Sequence, residues 1–295
     1  MAIAKEDRNL YEANMRNHNP ALYNSNAHFV YADASVWPVL QLLDLQRGEQ
    51  ILDLGCGTGE LTARLTDTVG ETGSVWGTDA NEEMLSKARM AHSKLRDKVF
   101  LADAQSLEVP EGRGLENSFD KVFTNATLHW CKRDPAGVIE GVKLFLKPGG
   151  AFVGEFGGFQ NVCAVRSHLH QVLREHNIDP VPLDPWYFPT AEAYSSLLTA
   201  HGFTVSSCIL APRPTTLPTD LIGWLRTFAR NSFLSTLSDE EAERIMQETS
   251  KRCEIDCRDE QGRDSVIEQE KETEMKQWLQ MIIFDPLVYA LSSYV

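Results

Sequence analysis

Long apolar runs and basic clusters are both missing from this sequence of 295 residues. No run reaches the roughly 18 apolar residues of a membrane-spanning helix, so no membrane partner is predicted. The segment 1–8 is polar and lacks the apolar stretch of a secretory signal, so we expect a cytoplasmic protein. Acidic residues outnumber basic ones, 42 to 28, for a net charge of −14. Because nucleic-acid binders rely on basic faces, we expect a small-molecule ligand and neither DNA nor RNA.

The cysteines lack the pattern of a disulfide framework or of a metal centre. Six are scattered along the chain, and without a secretory signal they are expected to be reduced. Cys253 and Cys257 are four residues apart, but no second Cys or His pair has the spacing that completes a zinc site. No metal is predicted.

Short apolar runs alternate with longer amphipathic stretches, which is typical of an α/β fold whose parallel sheet is covered by helices. Strands are expected at 50–54, 74–78, 98–101, 119–124, 151–156 and 203–210. Helices are expected at 60–68, 82–93, 135–146, 161–176, 190–201, 219–233 and from Ser238, where Glu241 completes a capping box.

The strongest chemical signal is a strand that runs into Gly55, Gly57 and Gly59 and then into a helix. Glycines let the backbone pass close beneath a ligand. A dinucleotide fingerprint needs its third glycine where Glu60 stands, which disfavours a nicotinamide-dependent oxidoreductase. Asp53 would repel a pyrophosphate, whereas it suits a ligand that carries an ammonium and a sulfonium.

Two further acids follow the next strands of the predicted sheet. Asp79 ends the second strand, where a carboxylate can accept both ribose hydroxyls; capping of the next helix is the alternative. Asp103 follows the third strand, where it can accept from an exocyclic amine; a solvated loop position is the alternative. Met84 is expected in the core or against an adenine.

These segments together resemble the ordered motifs of class I methyltransferases. The motifs are carried by 51–59, Asp79, Asp103, Ala104, 119–123 and 146–150. A closer similarity, to the trans-aconitate methyltransferase group, is carried by 19–25, 125–130, 155–158, 186–189 and 224–226. The resemblance covers roughly residues 19–235 and implies a Rossmann-like fold, with a mostly parallel seven-stranded sheet, helices on both faces and a helical cover.

S-adenosylmethionine is the cofactor that this resemblance implies. It is expected to contact Asp53, with Gly55, Gly57 and Gly59 under the methionine part, Asp79 and Ala80 at the ribose, Met84, Asp103 and Ala104 around the adenine, and Asn125 near the methionine amino group.

Two departures from the family pattern concern the two ends of the chain. Residues 27–29 read Ala-His-Phe, where relatives tend to carry Gln before Phe. The aromatic, Arg-rich last strand of relatives is not found after Gly262, so 278–284 or 287–294 serves as that strand, or the C-terminus has a different origin. We expect a methyltransferase domain over 1–262, with a core of 34–210 and a cover from 1–33 and 212–250, followed by an atypical segment, 263–295.

The acceptor decides whether the enzyme needs a general base. A carboxylate is already ionised at neutral pH, whereas a phenol must lose a proton. His129, beside Trp130 just after the fourth strand, is the candidate base; a hydrogen-bonded wall residue is the alternative. His28 is a second candidate at the acceptor site.

Other acceptor contacts are expected from aromatic and arginine side chains. Trp186 and Tyr187 are predicted to line the acceptor pocket. Arg226 and Arg213 are able to clamp carboxylates, with a solvated helix surface as the alternative.

Asn125-Ala126-Thr127 stands where many amino-group methyltransferases carry Asn/Asp-Pro-Pro-aromatic. Together with the acidic charge, this favours O-methylation of a small molecule, and a carboxylate of a trans-aconitate-like acid is the first expectation. O- or C-methylation of a hydroxyl or carbon on a natural product is the alternative within the enzyme class. A non-catalytic cofactor-binding subunit is the alternative outside it. The sequence assigns no oligomeric state.

Overall fold

The computed structural model describes residues 33–211, 215–266 and 278–284, with side chains from 36 to 211 and from 215 to 266. The chain divides into two compact units. The sheet unit comprises Tyr31–Phe159, Tyr187–Leu210 and Trp278–Val295, and the helical unit comprises Met1–Val30, Gln160–Trp186 and Ala211–Gln277. Within the described part of the chain, no helix has the length and apolarity needed to span a bilayer.

Five parallel strands form the sheet unit's centre. They are β1 (Gln50–Leu54), β2 (Ser74–Asp79), β3 (Val99–Leu101), β4 (Phe119–Asn125) and β5 (Leu146–Gly157). Their spatial order is β3-β2-β1-β4-β5, and every pairing among them is parallel. The order reverses beside β1, and open α/β sheets bind ligands at such a reversal, at the carboxyl ends of the strands. The predicted Rossmann-like α/β fold is confirmed.

The remaining described elements fill the two units in chain order. The helices are α1 (Asp33–Leu43), α2 (Glu60–Val69), α3 (Glu82–Ala91), α4 (Pro135–Phe145), α5 (Cys163–Glu175), α6 (Ala191–Ala200), α7 (Leu221–Phe228), α8 (Asp239–Arg252) and α9 (Glu254–Cys257). Two further strands are β6 (Thr204–Ala211) and β7 (Trp278–Phe284).

Each face of the parallel sheet carries its own apolar cluster. Leu52 and Phe156 belong to the cluster that includes Val142 of α4. Ile51 and Val153 belong to the cluster that includes residues of α1 and α2. Successive residues of one strand therefore face opposite sides, as the period of two requires. Burial on both faces explains why these strands read as nearly continuous apolar runs.

Local side-chain contacts explain where helices begin. The Asn81 side chain accepts from the backbone N–H groups of Glu83 and Met84, at 2.9 and 3.3 Å, and so starts α3. Ser238 accepts from the Glu241 N–H at 3.3 Å, which confirms the predicted cap of α8. Each such cap stabilises a helix by about 1 kcal/mol.

The helical unit is held together by an aromatic cluster and by ion pairs. The ring centroid of Trp186 lies 6.1 Å from that of Trp224 and 5.6 Å from that of Phe233. Beside it, the buried Asp184 carboxylate accepts from Arg166 at 2.6 Å and contacts His170 at 3.0 Å.

Two elements differ from their sequence-based bounds. The helix expected to reach residue 233 ends at Phe228. The Arg230 N–H bonds to the carbonyl of Leu225, and the Arg230 guanidinium donates to the Leu234 carbonyl, so the chain turns there. β5 begins earlier than expected because Leu146 pairs with Phe119 across a register shift.

The segment Trp278–Phe284 lies antiparallel to β5, with Ala151 opposite Phe284 and Gly157 opposite Trp278. It is one of the two segments that the sequence proposed for the last strand. The other, 287–294, lies outside the described residues. The expected cover segment 1–33 and most of 263–295 also lie largely outside them, so the predicted domain bounds stay predictions.

Candidate functional site

The turn between β1 and α2 passes directly against the loop that follows β4. Gly55 has a φ of +81° and donates its N–H to the Thr78 carbonyl at 2.7 Å. A Cβ atom on Gly55 would lie 2.1 Å from the Thr127 Oγ1, so no other residue fits without moving that loop. Glycine is thus required here both by conformation and by a close approach.

Asp79, the last residue of β2, is oriented by the glycine turn itself. Its carboxylate accepts from the backbone N–H of Gly57 at 3.0 Å and from that of Asn81 at 2.9 Å. Burial raises the pKa of Asp79, and these backbone donors, with that of Ala80, oppose the rise. The predicted ribose acid and Ala80 therefore share one hydrogen-bonded turn at the carboxyl edge.

Asp53 is buried, with 3% of its surface exposed, on the adjacent strand. Its carboxylate accepts from the Thr62 hydroxyl at 2.6 Å. Burial, with a smaller contribution from the charge of Asp79, raises the pKa of Asp53 to about 7. Within the described part of the chain, neither carboxylate forms an ion pair with a basic side chain. A cationic ligand would therefore be stabilised beside them.

The third predicted acid, Asp103, lies in a loop tied to the segment before α4. Its Oδ1 accepts from the Gln105 N–H at 2.9 Å, and its Oδ2 accepts from Arg133 at 2.6 Å. Gln105 in turn accepts from the backbone N–H of Asp134 at 3.0 Å. Sequence reasoning missed Arg133, because nothing local marks a residue that acts on a loop 30 positions away. Ala104 and Met84 are buried nearby in sequence, as expected of residues flanking an adenine.

The end of β4 bends sharply at Ala126, whose φ is +54°. The Ala126 N–H donates to the Glu155 carbonyl at 2.8 Å, and the Thr127 hydroxyl donates to the Asn125 carbonyl at 3.1 Å. These contacts hold Asn125 at the carboxyl edge and direct the chain into the short turn Leu128–Trp130.

His129 is fixed by hydrogen bonds at its ring and its backbone. Its Nδ1 accepts from the Gly157 N–H at 3.2 Å, and its carbonyl accepts from the Tyr187 N–H at 2.8 Å. Its ring centroid lies 5.3 Å from that of Trp130 and 6.1 Å from that of Phe188. Because Nδ1 accepts a proton, the neutral imidazole carries its own proton on Nε2. His129 therefore presents a donor, which is the behaviour of a wall residue and not of a base.

The remaining predicted acceptor residues are divided between the two units. Tyr187 is partly buried in the sheet unit, and burial raises the pKa of its phenol. Trp186 packs inside the helical unit's aromatic cluster. Arg226, on α7, donates to Glu243 at 2.5 and 3.1 Å. His28 and Arg213 lie outside the described residues.

No group of three metal-ligating side chains occurs among the residues that the structure describes. All six cysteines lie within those residues, and none of them forms a disulfide.

Comparison with known proteins identifies the chemistry that this edge of the sheet serves. A family model described as a methyltransferase domain matches residues 45–180. An uncharacterised methyltransferase of Schizosaccharomyces pombe is 33% identical over 221 residues, which cover 72% of this chain and 80% of that protein. The chain belongs to the S-adenosylmethionine-dependent methyltransferases.

Other relatives of this methyltransferase align over a shorter region. The demethylmenaquinone methyltransferase of Oceanobacillus iheyensis is 35% identical over 115 residues, or 39% of this chain and 47% of that enzyme. The chain thus matches about half of that relative's length, within the part where a cofactor-binding core is expected.

Two solved structures share the fold of this methyltransferase at low sequence identity. The YcgJ protein of Bacillus subtilis has a TM-score of 0.54 and 15% identity, over 86% of this chain and 99% of its own. A methyltransferase in complex with the Haloferax volcanii Trm112 activator has a TM-score of 0.52 and 17% identity, over 92% of this chain and 99% of its own. These likenesses support the fold alone.

The methyltransferase's own residues fit S-adenosylmethionine. Two buried carboxylates without cationic partners suit a ligand with a sulfonium and an ammonium, and Gly55 leaves room for a close approach. A pyrophosphate would place like charge beside Asp53 and Asp79.

Proposed function

We propose that this methyltransferase methylates a carboxylate oxygen of a small acid, of the class that trans-aconitate represents. The observation that carries the proposal is the Gly157 N–H bond to the Nδ1 of His129, at 3.2 Å. A general base needs an unprotonated nitrogen, whereas this ring offers an Nε2–H donor. A donor suits an acceptor that is already ionised at neutral pH.

The proposed mechanism is an in-line displacement, in which the cofactor supplies an electrophilic methyl group on its sulfonium. The residues of this chain bind and align the reactants and exclude water. Asp79 orients the nucleoside part, and Asp53 and Asn125 attract the methionine part. His129 donates to the acceptor carboxylate, and the rings of Trp130 and Phe188 shield the reacting atoms. Acceptor contacts from His28, Trp186, Tyr187 and Arg226 belong to this proposal.

The proposal includes the architecture expected from the trans-aconitate methyltransferase group. We infer a sheet of seven strands, in which β7 and β6 complete the five parallel strands. The strand order β3-β2-β1-β4-β5-β7-β6 supports it.

Carbon methylation of a phenol-like ring is the second candidate. It is favoured by the similarity to demethylmenaquinone methyltransferases, which are 34–35% identical over 111–119 residues. That similarity covers at most 39% of this chain. It therefore bears on the core more than on the acceptor side.

The two candidates are separated by labelled methyl transfer to panels of di- and tricarboxylic acids, phenols and reduced quinones. For a carboxylate acceptor, we expect a His129→Gln variant to keep its rate within about tenfold, because an amide N–H replaces the Nε2–H. The rate should also change little between about pH 6 and 8, since the acceptor is ionised throughout. Transfer to phenols or ring carbons alone, with a rate that collapses in His129→Gln, would contradict the proposal.

A further inference from the structure

Three polar side chains line one face of the sheet at its carboxyl edge. Asp53 faces α2, since it accepts from Thr62 of that helix. Phe123 of β4 and Val153 of β5 belong to the apolar cluster on the same face. Two residues further along each strand, the side chain returns to that face. Asn125 and Glu155 therefore lie on the face of Asp53.

Glu155 occupies an unusual position for an acid. Only 2% of its surface is exposed, and it is paired in register with Asn125 on the neighbouring strand. Neighbouring strands lie about 4.8 Å apart, so both side chains reach the same small volume. The Ala126 N–H donates to the Glu155 carbonyl, which fixes the backbone of the two strand ends together. Carboxylates are buried in this way when a cation or several donors stabilise them.

The sheet order shows which part of the cofactor reaches this volume. Asp103 follows β3, Asp79 ends β2, and the glycine turn follows β1. An adenosine bound by the two acids spans β3 and β2, so the methionine part extends past β1 towards β4 and β5. The ends of β4 and β5 carry Asn125 and Glu155. The methionine part bears an ammonium group, whose charge a carboxylate stabilises.

We propose that Glu155 is a cofactor-binding residue that holds the methionine ammonium of S-adenosylmethionine, together with Asp53 and Asn125. The proposal rests on the cofactor and is independent of which acceptor is methylated. Glu155 thereby extends the acidic set of β1 and β2 across the reversal of the sheet to β5.

Two neutral-sulfur ligands isolate the ammonium contact. S-adenosylhomocysteine keeps the amino-acid part, whereas 5′-methylthioadenosine lacks it. In titration calorimetry on the full-length chain, we expect Glu155→Gln to weaken S-adenosylhomocysteine by about tenfold or more, the loss expected for a charge-assisted hydrogen bond. Binding of 5′-methylthioadenosine should stay within about twofold. Glu71→Gln, an exposed acid at the opposite end of the sheet, should change neither affinity.

The outcomes separate ligand binding from a structural role. Equal weakening of both ligands, or no change in either, would overturn the proposal. If Glu155→Gln fails to fold by circular dichroism, Glu155→Asp serves instead. This variant keeps the charge and withdraws it by one methylene, so it should weaken S-adenosylhomocysteine alone. Because no acceptor is present, failure here is distinct from failure of the proposed carboxylate methylation.

Discussion

Carboxylates of the sheet unit and of the helical unit are stabilised by different partners. At the carboxyl edge of the sheet, Asp53 accepts from a hydroxyl, and Asp79 accepts from backbone N–H groups. In the helical unit, Asp184 contacts Arg166 and His170, and Glu248 contacts His176 and Arg252. The acids of the helical unit thus have cationic partners within their own unit.

The pKa directions follow this division. Burial raises the pKa values of Asp53 and Asp79. In the helical unit, the hydrogen bond from Arg226 lowers the pKa of Glu243, and the hydrogen bond from His176 lowers that of Glu248. Acids with raised pKa values and no cation are costly to the fold and are expected where a cationic ligand binds. The helical unit's ion pairs stabilise structure, whereas the sheet unit's acids await the cofactor.

The largest effect is expected where an acid of the helical unit loses its charge. Asp184 is 2% exposed and contacts two basic groups. Asp184→Asn should lower the free energy of unfolding by about 3 kcal/mol, because Arg166 is left without its buried partner. Chemical denaturation measures this change. Asp179→Asn, an exposed acid on the same loop, is the matched control and should change it by less than about 0.5 kcal/mol. Equal losses in both variants would contradict the comparison.

Sequence patterns predicted the local features of both units. The five parallel strands, the glycine turn and the Ser238 cap are local, since each depends on residues within a few positions. The partners of Asp103 and His129 were not predictable, because Arg133 is 30 positions away and Gly157 is 28 positions away. Register determines such contacts, and register appears only once the strands pair. The division of the acids by partner was hidden for the same reason.

A second prediction tests the sheet unit's side of the comparison through Asp53. Its pKa of about 7 lies above the ordinary 3.8, so the folded ligand-free protein holds a proton that the unfolded chain releases. That contribution to stability is complete below about pH 4 and is lost as the pH rises to about 7. Asp53→Asn should therefore flatten the pH dependence of unfolding and, above pH 7, should not destabilise the ligand-free protein.

Cofactor binding should respond to Asp53 in the opposite sense. As the carboxylate ionises, affinity for S-adenosylmethionine should rise between about pH 6 and 8, and binding should release protons. In Asp53→Asn, affinity should fall by about tenfold and the proton release should shrink. Calorimetry in buffers of different ionisation enthalpy measures both quantities. A loss of stability as large as that of Asp184→Asn would show that Asp53 is a structural acid after all.

The smallest effect is expected at the exposed pair of Arg226 and Glu243. Their side chains are 48% and 38% exposed, so breaking the pair should change stability by at most about 1 kcal/mol. Arg226→Ala and Glu243→Gln each remove the pair, and a purely structural contact predicts equal, small changes and no kinetic effect. If Arg226 also binds the acceptor, Arg226→Ala alone should raise the KM for a carboxylic acid. In that case one arginine of the helical unit, although already paired, also serves a ligand, and the division between the two units is less strict than their acids alone indicate.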